Sequence, residues 1–127
     1  MEEGLLFVHM LGKETRRKII AILLSTRSYR ELSSELGVTP AAIAKYISGA
    51  THPSDKTVAK ALEIASREEK EEIAIAISED LAESIRSLVD WIIEERLPGR
   101  LLAEALEESV ARMRLAGVRR STRLASP

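Results

Sequence analysis

The run Glu31-Leu32-Ser33-Ser34-Glu35-Leu36-Gly37-Val38-Thr39-Pro40-Ala41-Ala42-Ile43-Ala44-Lys45-Tyr46 is the most informative in the chain. Apolar residues fall at helical spacing on either side of Gly37, so the run predicts two short helices with a bend between them. Gly37 supplies the positive φ that a three-residue turn requires. Leu32, Leu36, Val38, Ile43 and Tyr46 fill the wedge between helices crossing at about 90–120°. Ser33 is small because the second helix passes over it. Both helices carry their own start signals. Ser28-Tyr29-Arg30-Glu31 is a capping box, in which the hydroxyl takes a first-turn amide and Glu31 reaches back. Thr39-Pro40 places a capping hydroxyl before a proline whose missing amide costs nothing at the first helical position.

Outward from this pair the pattern stays helical. Lys13 to Leu24 carries Ile19, Ile20, Leu23 and Leu24 on one face. Ser54 caps a helix with the stripe Val58, Ala61, Leu62 and Ala65. Ser66-Arg67-Glu68-Glu69 is a second capping box, opening a long helix to about Leu97 through Ile73, Ile77, Leu81, Ile85, Leu88, Val89, Ile92 and Ile93. Pro98-Gly99 breaks it, and Leu101 to about Leu115 forms the last helix. The expected organisation is an amino-terminal segment (1–12), uncharged from Gly4 to Gly12, a head (13–65), a helical hairpin (66–118) and a basic, disordered tail (119–127). The fold class is all-α, a five-helix head followed by a carboxyl-terminal hairpin. Aromatic residues are only 3% of the chain, against abundant Ala, Leu, Glu and Arg, which excludes a β-sandwich or barrel.

Composition also bounds the chemistry. The chain has no Cys, Asn or Gln. Disulfides and thiolate chemistry are therefore impossible, and no carboxamide is present to pair with a base edge. Losing every thermolabile amide while 31% of residues are charged points to a heat-adapted source. The two histidines, His9 and His52, stand in no acid–nucleophile motif, and the glycines form no phosphate cradle, so no enzyme, cofactor or metal site is expected. The run Glu68, Glu69, Glu71 and Glu72 reads as a solvated helix start favoured by the macrodipole. No uncharged stretch approaches the roughly 20 residues of a membrane span. Glu2 and Glu3 stand where a secretory signal needs a basic start, so the chain is read as cytoplasmic.

Lys13 to Ala65 resembles the five-helix DNA-binding domain of the Cro and phage-repressor (xenobiotic-response-element) family. The matching pieces are 31–39, Ile43-Ala44-Lys45-Tyr46, Gly49 before Pro53-Ser54, and Lys60-Ala61-Leu62-Glu63-Ile64-Ala65. The resemblance implies a helix-turn-helix that binds duplex DNA. The chain departs from the family pattern at Tyr29, where the family often has Gln, and at Ser48, where it often has Glu.

A recognition helix enters the major groove by its first turns. With Ile43, Tyr46 and Ile47 facing inward, the base-reading candidates are Thr39, Pro40, Ala41, Ala44, Lys45 and Ser48. Lys45 can donate to guanine, while Thr39 and Ala41 can touch a thymine methyl. Phosphate contacts are expected from Ser28, Tyr29, Arg30, His52 and Lys56. His52 reads more readily as an ordinary loop residue than as a phosphate ligand, and Arg16, Arg17 and Lys18 read equally as a solvated helix face.

The hairpin has more apolar stripe than so small a head can cover. Leu88, Trp91, Ile92, Leu102, Leu106 and Val110 are therefore the dimerisation candidates, with the amino-terminal segment packed beside them. The alternative is a bundle closed within one chain. A homodimer would span two half-sites about 34 Å apart. The expected function is a sequence-specific transcriptional regulator on double-stranded DNA, with no small-molecule effector evident. The alternative is a protein-interaction adaptor, antitoxin-like or polymerase-associated. It would show negligible duplex affinity and a hydrophobic groove.

Overall fold

In a computed structural model of the chain, residues 2–118 are described, and the basic tail expected over 119–127 lies outside them. Six α-helices follow a 3-10 segment, and no strand occurs among the described residues. After the segment Glu2–Met10 come α1 (Lys13–Leu24), α2 (Tyr29–Leu36), α3 (Pro40–Ser48), α4 (Asp55–Ile64), α5 (Arg67–Glu95) and α6 (Arg100–Leu115). The chain divides into two compact units, Met1–Ile85 and Arg86–Pro127, with the division inside α5.

In the first unit the apolar positions of four short helices meet. Ile19, Ile20 and Leu23 of α1, Leu32 of α2, Ile43 of α3 and Val58 of α4 are fully buried, and Ile73 from α5 joins them. Such burial contributes about 1.5–3 kcal/mol per large side chain. α2 packs on α3, and both pack against α1 or α4. The amino-terminal segment, expected beside the carboxyl-terminal helices, packs chiefly on α4, with Val8 and Leu11 buried in the core. A hydrogen bond ties its end to α5: the Gly12 amide donates to Asp80 Oδ2 at 3.0 Å. With Thr15, that bond holds the Asp80 carboxyl below its ordinary pKa.

The second unit is built differently. Its helical parts are the end of α5 and all of α6, and none of residues 86–118 is buried. α5 ends at Glu95, two residues before the expected stop. Arg96 takes φ 55°, and the Leu97 amide bonds back to the Ile92 carbonyl at 2.9 Å. That is a left-handed helix ending, and Pro98 then disfavours helical backbone at Leu97. Gly99 passes so close to Ile92 that an added Cβ would meet its side chain at 3.2 Å.

Candidate nucleic-acid interface

The two helices around Gly37 take the expected form for local reasons. Ser28 Oγ accepts the Glu31 amide at 3.0 Å, and the Ser28 amide donates to Glu31 Oε1 at 2.8 Å. Gly37 stands at φ 74°, where its amide and that of Val38 both reach the Ser33 carbonyl. Thr39 Oγ1 accepts the Ala42 amide at 3.0 Å and starts α3 at Pro40. Gly49, at φ 83°, ends it.

α3 divides cleanly into two faces. Ile43 is buried, and Ala42, Tyr46 and Ile47 are half-buried, with Tyr46 and Ile47 packed against the core. Thr39, Pro40, Ala41, Ala44, Lys45 and Ser48 are all exposed. Ala44 and Lys45 stand three and four residues after Ala41 and four and three before Ser48, so the four share one stripe. The helix has no acidic residue, and its outer face presents one ammonium among methyl groups and hydroxyls. Two of those hydroxyls already serve the backbone. Thr39 caps the helix, while Ser48 Oγ donates to the Lys45 carbonyl and accepts the Ala50 amide.

Ser28, Tyr29 and Arg30 are exposed at the start of α2, His52 in the loop after α3, and Lys56 in the first turn of α4. The first turns of α2 and α4 present amides of the kind that bind phosphate.

Two arginines, Arg16 buried and Arg27 half-buried, hold this surface in place. Arg16, expected on a solvated face, is 6% exposed. It donates to the carbonyls of Val8, Leu11 and Pro53 and pairs with Asp55 at 2.6 Å. His9 bonds the other Asp55 oxygen at 2.8 Å, and His9 with Arg16 holds that carboxyl below its ordinary pKa. Arg16 is thus committed to tying the amino-terminal segment and the α3–α4 loop to α1.

Arg27, just beyond α1, pairs with Glu69 at 2.7 Å and Glu35 at 2.6 Å. Glu69 also accepts from the Thr26 hydroxyl and the Ser66 amide. These bonds, the guanidinium's foremost, draw its pKa down to about 2 against a desolvation that opposes the shift. Glu69 therefore departs from the solvated reading of the acidic run. Its carboxylate is buried because Arg27 neutralises it. The one sequence signal for Arg27 is a cation after the last turn of a helix, where terminal carbonyls await a donor.

Among the described residues no group of acidic or histidine side chains is placed to hold a metal ion, and no helix is long and apolar enough to cross a membrane. Residues 21–64 match the helix-turn-helix family model, which describes a DNA-binding domain rather than an enzyme. Neither the curated proteins nor the solved structures gave a match to the chain.

Proposed function

Starting from a helix-turn-helix DNA-binding domain of the Cro and repressor type at residues 21–64, we propose that this chain is a sequence-specific transcriptional regulator that binds double-stranded DNA as a homodimer. The observation that carries the reading is the outer face of α3, exposed at all six candidate positions and free of carboxylates. Lys45 donates to guanine O6 or N7, and Ala41 and Ala44 lie against thymine methyls. Thr39 keeps its methyl and its hydroxyl proton for the same edge, and Ser48 sits at the rim. Direct readout is sparse without Asn or Gln, so groove shape carries the remaining preference. Ser28, Tyr29, Arg30, His52 and Lys56 take phosphates.

Dimerisation is supported by the second unit. Among its described residues none is buried, with Leu88 at 43%, Trp91 at 55% and Val110 at 40% exposure. A second copy completes the cover of Leu88, Trp91, Ile92, Leu102, Leu106 and Val110, of which Ile92, Leu102 and Leu106 are half-buried within the chain. The proposal places the protein in the cytoplasm of a heat-adapted cell.

The test is selection of bound duplexes from a random pool at stated salt, followed by salt titration. We expect two symmetry-related half-sites about 34 Å apart and a guanine preference lost in Lys45→Ala, worth about 1–3 kcal/mol. An unenriched pool, with duplex affinity negligible even at low salt, would overturn the reading.

A further inference from the structure

The first unit also carries a concave apolar surface. A trough of about 1280 Å3 is walled by Leu36 and Val38 at the turn, Leu62 on α4, and Ile73, Ile77 and Leu81 on α5. Lys56 and Lys60 stand on its α4 wall and Lys70 on its α5 wall, all three exposed, and Glu63 is the single carboxylate in the lining. We propose that this trough docks an acidic amphipathic helix of a partner protein.

Shape favours a helix. The trough is larger than the about 300–1,000 Å3 of small-molecule sites. From Lys70 to Leu81 its α5 wall measures about 16 Å at 1.5 Å per residue, room for about three helical turns. Ile73, Ile77 and Leu81 repeat every fourth residue and form a ridge. The small side chains Ala59, Ala74 and Ser78 leave hollows beside it, the relief into which the ridge of another helix fits. Charge favours acidic flanks. Lys56 on the α4 wall and Lys70 on the α5 wall offer ammonium groups above apolar edges, and Lys60 can exchange its exposed pair with Glu63, 3.4 Å away, for an incoming carboxylate. The incoming helix therefore brings Asp or Glu on both sides of an i, i+4, i+7 apolar stripe.

No residue of α3 lines the trough. A helix seated there leaves the outer face of α3 open, so partner and duplex are held at once, with Lys56 the one residue that the trough shares with the proposed phosphate contacts. The docking claim goes beyond the DNA-binding reading and does not depend on it.

The experiment selects displayed four-turn helical peptides, with leucine at i, i+4, i+7 and i+11 and flanks randomised among Glu, Lys and Ser, against the full chain. The best peptide is then labelled with fluorescein and followed by anisotropy. We expect winners with acidic flanks. Ala74→Glu combined with Ser78→Glu, two exposed positions, should weaken them about tenfold or more with the helical circular dichroism unchanged. Lys60→Glu with Lys70→Glu should shift the preference to lysine flanks. Saturating duplex should leave the peptide bound. The proposal is overturned if no peptide is enriched or if the winner ignores the Ala74 and Ser78 changes. It is also overturned if those changes dissociate a dimer of the chain, because a second copy then fills the trough. Displacement by duplex would refute simultaneous binding while upholding DNA binding itself.

Discussion

The guanidinium of Arg27 donates to the Leu23 carbonyl of α1, to Glu35 of α2, to the Ile64 carbonyl of α4 and to Glu69 of α5, so four helices share one cation. Glu69 is the partner with the most at stake. Its pKa falls from 4.5 to about 2 on folding, so the folded state binds fewer protons than the unfolded one. The stability it contributes is whole above about pH 4.5 and drains away as pH falls towards 2. Glu69→Gln should cost about 3 kcal/mol at neutral pH and flatten the dependence of the unfolding midpoint on pH across that window, as measured by denaturant titration. The caps at Ser28, Thr39 and Ser66 were legible in the sequence because each hydroxyl meets an amide three residues on. Arg27 and Glu69 were not legible as a pair, since 42 residues separate them and nothing local foretells which carboxylate comes back.

At the level of the element, the turn between α2 and α3 rests on one backbone conformation. A Cβ added at Gly37 would meet nothing within 4 Å, but φ stands at 74°. Gly37→Ala should therefore cost about 1–2 kcal/mol through backbone strain alone, with α3 still formed. A drop in urea midpoint with unchanged helical content would verify this. The opposite case is Arg96, at φ 55° after α5. Arg96→Gly should relieve about 1 kcal/mol, read as a higher melting temperature. The existence of α1 to α6 was legible, though not the 3-10 turns of Glu2–Met10, and the starts of α2, α3 and α4 followed from their caps. The end of α5 was misread because Pro98-Gly99 is the louder punctuation. The chain instead turns at a residue whose side chain disfavours the conformation it adopts.

For the molecule as a whole, the two units differ in how they are held. Residues up to Ile85 enclose a core with Ile19, Ile20, Leu23 and Ile43 at zero exposure, whereas side chains of 86–118 are at most half-buried. The apolar stripes of α5 and α6 were legible from their periodicity. What covers them was not, because periodicity names a face and not its partner. Leu106→Glu should leave the head folded and convert the proposed dimer to monomer in sedimentation velocity. The slope of log affinity against log salt should fall by about half, since each head then neutralises its own phosphates only. Ala41 and Ala44 support nothing beneath them: they are exposed, and neither makes a side-chain hydrogen bond. At these two positions the scaffold and the proposed reading surface are separate, so selection could rewrite the proposed target there without threatening the fold, whereas Thr39, which caps α3, belongs to both.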